Sequence, residues 1–376
     1  MTIYLDNLAA TPVDPRVADR HRAAMLDNPG NAHSAEHAVG VAARQALDAA
    51  GEAVLRAIES REDVVTFTPG ASAALWLAVE DAIARTVGRV ARVAATAVEH
   101  PALLSALRHA ERGGRLQLTI LPVDAQGAPV VEALATALRD SVDLVCTMAA
   151  NNEVGTITDL AHICAVVRAA GARHLVDASQ AAGRLAMPAL AKADLIVVSG
   201  AKLYGPRRSG ALIGALCGHA ETLAHDVFGS PDVPAAVALA YALDLRVAER
   251  DADETRLAYL RDRLQADLTA AVPDLRINGD PTARLAGSLH ISTPHLPGEA
   301  VVARLWGKVA VSTGAACQSG APGPSHVLSA MDMPDWARDG AVRIGLGRFN
   351  SAEEVAEAGA LIASALTLTL PARRYA

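Results

Sequence analysis

The sequence predicts an α/β protein, a large unit on a mainly parallel sheet followed by a smaller α+β unit. Three observations point there. Five short β-rich runs, "DVVTFTPG", "RVARVAATAVEH", "LVCTMAANN", "RHLVDASQ" and "DLIVVSGAK", end in polar or glycine residues and are each followed by a helical pattern. That alternation is what parallel strands with crossover helices require. A charge-rich stretch with helical apolar spacing, from about Ala236 to Ala271, bridges to the second unit. Beyond about Leu275, the short strands of "LRINGD", "AGSLHIST", "KVAVSTG" and "AVRIGLG" flank helical patterns and give the smaller α+β unit.

Composition narrows the function. The chain has 376 residues, 51% of them hydrophobic, enough for large cores in two or three structural units. With 34 Lys and Arg against 41 Asp and Glu, the net charge of −7 argues against a dominant nucleic-acid or anionic-membrane surface. The opening "MTIYLDNLAATPVDPR" carries Asp6 and lacks a basic region followed by a long apolar core, so it is not read as a secretory signal. No run approaches membrane-spanning length.

Four cysteines at unrelated spacings, with no C-x-x-C pair, give neither a zinc motif nor a disulfide framework, which places the chain in a reducing cytoplasm. Cys146, Cys164 and Cys217 read as core thiols. Cys317 differs, because "VSTGAACQSGAPG" surrounds it with Ser, Gly and Ala and predicts an exposed loop. On this segment alone, a reactive thiol and an inert one stand equally open. His33 and His37 are four apart, as metal ligands on a helix can be, but Glu36 is misplaced for H-E-x-x-H and no third ligand is evident, so no metal is expected.

Ligands of parallel α/β sheets gather at the carboxyl ends of the strands. The five runs deliver Gly70, Ala71 and Ser72; Glu99 and His100; Asn151, Asn152 and Glu153; Asp177 and Gln180; and Ser199 and Lys202 to that edge. Lys202 follows a buried strand, where lost hydration lowers an amine's pKa and frees it to condense with an aldehyde such as pyridoxal phosphate; a solvated loop lysine is the plain alternative. Asp177, after an apolar strand, needs a cation, which a protonated pyridine nitrogen supplies, or else it caps the following turn. Gln180 can reach the cofactor's ring hydroxyl. "TFTPGASAALWLAV" runs strand, turn and helix, exposing the amides of Gly70, Ala71 and Ser72 as a phosphate cradle, although many such turns look alike. His100 can stack on the ring and move protons, or be structural.

Taken together, these motifs resemble the pyridoxal-phosphate cysteine desulfurases of the NifS/IscS type, in the class V aminotransferase group with fold type I. The resemblance runs from "YLDNLAATPVDPRV" through "PGNAHS", "FTPGAS", "VEHPAL", "NNEVGTI", "VDASQAAG", "SGAKLYGP" and "STGAACQSG" to "VRIGLGRF", nearly the whole chain. It implies a large domain at 12–250 with a mainly parallel seven-stranded sheet, and a small domain formed by 1–11 and 251–376 that carries the cysteine loop. It implies Lys202 as the Schiff-base lysine, Asp177 on the pyridine nitrogen, Gln180 and Asn152 around the ring hydroxyl and substrate, and His100 stacked on the ring. Ala71, Ser72 and Ser199 fall at the phosphate, and Arg343 and Asn31 at the substrate.

Cys317 resembles the family's nucleophile, which takes sulfur from cofactor-bound L-cysteine as a persulfide while alanine leaves, and a loop of small residues suits such a carrier. A cytoplasmic homodimer and a sulfur-acceptor protein are implied as well. A related C–S or C–Se lyase that does not need the loop thiol, and a degenerate paralogue serving as a binding scaffold, are the competing readings. The sequence departs from the family twice. "SGAK" replaces "SGHK", so Ala201 stands where a phosphate-binding histidine is usual, and "DVFGSPDVP" stands in place of the segment ending "RSGT", whose Thr reaches the partner subunit's phosphate. Ser230 and Arg207 are the expected substitutes.

Overall fold

The computed structural model of the protein describes residues 2–186, 188–313 and 325–367. Its strands are β1 (Ile3–Tyr4), β2 (Val65–Thr68), β3 (Ala91–Thr96), β4 (Leu116–Leu121), β5 (Leu144–Met148), β6 (Arg173–Asp177), β7 (Leu195–Ser199), β8 (Gly210–Ile213), β9 (Arg276–Asn278), β10 (Ser288–Ser292), β11 (Val309–Ala310) and β12 (Ala341–Gly345). Seven of them form one sheet in the order β2-β8-β7-β6-β5-β3-β4. Only β8 runs against the rest, pairing antiparallel with both β2 and β7. This is the mainly parallel seven-stranded sheet that the resemblance implies.

The central strands read as unbroken apolar runs because helices cover both faces. Alternate side chains sort the two layers. Val176, Ile196, Val198, Ala211 and Ile213 face the helices Ala38–Ile58 and Leu160–Ala169 and the first part of the long helix Val233–Ala271. Cys146, Leu175, Leu195, Val197 and Leu212 face the helices Ala71–Arg85, Pro101–Arg112 and Gly218–Phe228. Two cores thus back one sheet, and its polar strand ends emerge between them.

The long helix joins this body to a second one. Its first part, Val233 to Leu243, packs in the large core, whereas Leu257, Leu260, Leu264 and Leu268 pack with β10, β12 and the helix Ala352–Thr367. The second body holds the antiparallel sheet β12-β10-β9 and the two-stranded pairing of β1 with β11, in which Ile3 lies opposite Val309. The chain's start therefore crosses into the second body, and residues 6–11 return over the large sheet.

Cys146 and Cys164 are buried, as their apolar settings predict, but Cys217 is half-buried. It sits just before the helix Gly218–Phe228, past the end of β8, where the sheet no longer covers it; its backbone N–H donates to Asp81 Oδ1 at 2.7 Å. The core-thiol reading of Cys217 is corrected accordingly.

Candidate active site

Strand register brings the carboxyl ends into one row. Gly210 of β8 lies opposite both Ser199 of β7 and Thr68 of β2, and Asp177 of β6 lies opposite Val197 of β7 and Met148 of β5. The β2-to-helix turn, Ser199, Asp177 and the segments after β5 and β3 consequently share one edge.

Lys202 closes a short 3-10 turn directly after β7. Its Nζ donates to Leu8 O at 3.0 Å and to Ala9 O, so two main-chain carbonyls of the N-terminal segment hold the ammonium over the sheet edge. Gln180 Nε2 donates to the same Leu8 carbonyl at 2.8 Å. Thr11 anchors the segment from the other side, its N–H and Oγ1 both donating to Ala201 O at 2.9 and 3.1 Å. Arg184 supports the turn from behind by donating to Lys202 O at 3.1 Å. Nothing in the sequence pattern signals this contact between residues 8–11 and 201–202.

Asp177 is buried, and its Oδ1 accepts the Ser179 N–H at 2.9 Å, which caps the turn after β6 while leaving the carboxylate at the edge. His100 caps the helix Pro101–Arg112, its Nδ1 accepting the Ala102 N–H at 3.1 Å. Because Nδ1 accepts, the neutral ring carries its proton on Nε2. Burial holds the His100 pKa below the usual imidazole value; the Asp177 charge opposes that shift, and Lys202 and His326 add to it. His100 is thus a helix cap, with Asp177 and Lys202 near enough for their charges to be felt.

The cradle stands at the β2 end. Gly70, with φ +104°, begins the helix Ala71–Arg85 without a side-chain cap, and a Cβ on Gly210 would lie 2.7 Å from Gly70 C. Only glycine at 210 lets β8 pass that close beneath the turn. A groove of about 870 Å³ opens beside it, lined by Thr68, Pro69, Arg207, Arg208 and Ser230 among others. Arg207 and Ser230 thus share this groove with Thr68 and Pro69, which lead into the cradle. The helix Gly218–Phe228 passes to the long helix through residues 229–232 alone, the stretch that holds Ser230.

Arg343, on β12, is fully buried; it pairs with Asp6 at 2.9 Å and donates to Asn152 O at 3.1 Å, so it joins β12 to the segment after β5. Asn31 is tied to the groove residue Ser230, donating to its Oγ at 3.0 Å, and accepts the His33 N–H at 2.9 Å. Cys317 lies outside the described residues. Among the described residues, no group of His, Cys, Asp and Glu is arranged to hold a metal ion, and no helix is long and apolar enough to cross a membrane.

This architecture is shared with known proteins. The aminotransferase class-V model matches residues 3–225 and 220–357. The chain belongs to this family. It is 35% identical over 363 residues to a cysteine desulfurase IscS of Anaeromyxobacter sp. (strain Fw109-5), covering 94% of this chain and 89% of the relative. It is 32% identical to a probable mitochondrial cysteine desulfurase of Dictyostelium discoideum, covering 94% and 80%. A solved NifS-like protein superimposes with a TM-score of 0.85 at 26% identity, covering 97% of this chain and 99% of that one.

Class-V aminotransferases of the cysteine desulfurase group are pyridoxal-phosphate enzymes, and the residues at this edge fit that cofactor. Gln180 Oε1 and Ser179 Oγ are buried with no hydrogen-bond partner among the described residues, and the uncapped helix start at Gly70 offers amides to an anion. A buried carboxylate at Asp177 and an amine at Lys202 complete a set with the polarity of phosphate, pyridinium and aldehyde in turn.

Proposed function

We propose that the protein converts L-cysteine to L-alanine and passes the sulfur, as a persulfide on Cys317, to an acceptor protein. The observation that carries this reading is the convergence of Lys202, Asp177 and His100 at one sheet edge beside an uncapped helix start, within a cysteine desulfurase relationship that spans the chain. In this reading Lys202 holds the cofactor covalently, Asp177 pairs with its pyridine nitrogen, Gln180 and Asn152 face its ring hydroxyl and the substrate, and Ala71, Ser72 and Ser199 meet its phosphate. Arg343 and Asn31 serve the substrate. When bound, pyridoxal phosphate supplies an electron sink that makes bonds near the substrate's α-carbon breakable.

The sulfur step balances without an outside oxidant. The Cys317 thiolate attacks the substrate sulfur, an S–S bond forms and the C–S bond breaks. The electron pair of that bond stays on carbon, which takes up a proton and leaves as the methyl group of alanine, while the transferred sulfur is oxidised to the persulfide level. In this reading His100, whose Nδ1 accepts the Ala102 N–H and whose ring is held neutral by burial, holds or returns a proton near Lys202 and Asp177.

The test is to incubate the purified protein with L-cysteine and pyridoxal phosphate, then to measure alanine and sulfide with and without candidate acceptors. Cys317→Ser should lower alanine formation by roughly 10²-fold or more, as removal of a covalent nucleophile does. A variant that keeps most of the wild-type rate identifies a lyase that does not need the loop thiol, and overturns the persulfide reading.

A cytoplasmic homodimer is part of the same proposal. Three of the helices bordering the groove beside the cradle, Pro15–Asp27, Ala38–Ile58 and Gly218–Phe228, expose Met25, Leu26, Val39, Val41 and Val227, apolar surface that a second copy would cover. Light scattering should give twice the chain mass of 38.8 kDa, and a monomer at micromolar concentration would refute the dimer.

A further inference from the structure

Glu99 lies one residue before His100 and is fully buried, yet no role in the chemistry above falls to it. Its Oε1 accepts twice, from Thr96 Oγ1 at 2.5 Å and from the Met148 N–H at 2.9 Å. Its Oε2 is buried with no hydrogen-bond partner among the described residues. Met148 is the register partner of Asp177 on the neighbouring strand, so the Glu99 carboxyl is tied to the backbone beside Asp177. No ion pair to Glu99 is present among the described residues. An unpaired carboxylate in such a place is costly, and the economical state of a buried carboxyl without a cation is the neutral acid. With Oε1 occupied as an acceptor, the proton belongs on Oε2, where it makes a donor.

We propose that Glu99 is a positioning residue, a protonated carboxylic acid whose Oε2–H donates toward Asp177 and fixes that carboxylate as the anion available to the cofactor's pyridine nitrogen. The placement of the cofactor rests on the function proposed above; the protonated Glu99 does not.

The charged and titratable groups around Glu99 agree. Burial, and to a lesser degree Asp177 on β6, pushes its pKa up to about 8, against the two hydrogen bonds it accepts. Burial pushes the Cys146 thiol on β5 well up, so it brings no charge to offset one on Glu99. His100 follows Glu99 in the chain, and His326 is bonded through its Nε2 to the Glu99 backbone carbonyl at 3.0 Å. None of these offers a fixed cation to the side chain. A second anion here would compete with Asp177 for a pyridinium; a neutral donor instead orients Asp177 and leaves the charge on it.

Two variants separate a neutral acid from a carboxylate. Glu99→Gln keeps an acceptor for Thr96 and Met148 and supplies an N–H where the acid has its O–H, whereas Glu99→Leu keeps only the volume. The infrared difference between cofactor-free wild type and Glu99→Gln at neutral pH should show a protonated-carboxyl C=O band present only in the wild type. With pyridoxal phosphate, Glu99→Gln should hold the cofactor within about twofold of wild type and keep the pH dependence of its visible absorbance. Glu99→Leu should bind roughly tenfold or more weakly, the scale of one lost hydrogen bond to a charged group. A difference spectrum showing only carboxylate bands, or a Glu99→Gln protein as impaired as Glu99→Leu, overturns the proposal. If Glu99→Leu does not fold, the Gln variant and the infrared band still decide it. If wild type binds no cofactor, the proposed function fails while the infrared arm still tests Glu99.

Discussion

Replacing Lys202 with Arg or Ala should abolish covalent retention of pyridoxal phosphate and lower desulfurization by roughly 10³-fold or more, within the range that a lost nucleophile and proton carrier commands. The chain has three lysines, Lys192, Lys202 and Lys308, and only Lys202 is half-buried at the sheet edge, the other two being exposed. Arginine at 202 can preserve the donors to the Leu8 and Ala9 carbonyls and the charge near His100, but it cannot condense with an aldehyde. The two variants therefore separate electrostatic support from covalent attachment. If the amine matters only as a charge, Arg rescues activity; if it is the attachment point, both variants fail alike. Borohydride reduction of loaded wild type followed by peptide mapping should locate the adduct at Lys202. An adduct at Lys192 or Lys308 would sink the assignment.

What makes Lys202 special is partly legible in the chain and partly not. The apolar run "DLIVVS" and the breakers of "LYGP" place it at a strand end, and the same logic finds Asp177 after "HLV" and the glycine turn before Ala71. Strand existence and side-chain alternation are local properties, so they survive into the fold. Direction is not local. The four apolar residues of β8 carry no sign of running against their neighbours, yet it is Gly210, at its start, that sets Thr68 and Ser199 in one row. The carbonyls of Leu8 and Ala9 over Lys202, the pairing of Arg343 with Asp6, and the tie from Glu99 to Met148 join residues about 50 to 340 positions apart; no spacing rule reaches that far. Glu99 stands in plain view next to His100, but its meaning depends on an oxygen left without a partner among the described residues, which only the packed structure reveals.

Asp177→Asn should cost turnover roughly 10²- to 10³-fold, the scale of removing one preorganised electrostatic partner from a buried site. The amide keeps the size of the side chain and an oxygen for the Ser179 N–H at 2.9 Å, so the turn after β6 should persist and the loss should report the missing charge. Two shifts should accompany it. The Asp177 anion raises the pKa of His100 against the lowering by burial, so its removal moves the acidic limb of any His100-dependent rate to lower pH. The same anion raises the pKa of Glu99, so removing it moves Glu99 down from about 8 and brings ionisation nearer neutrality. Glu99 favours the folded state less as pH rises through this range, because the unfolded chain releases the proton above the ordinary glutamate pKa of 4.5 while the folded protein retains it until about 8. In Asp177→Asn that penalty should shrink, so thermal unfolding of the cofactor-free variant should depend less on pH between about 5 and 8 than that of wild type. A variant with wild-type turnover and a wild-type unfolding profile would place the Asp177 charge outside both the chemistry and the Glu99 pair.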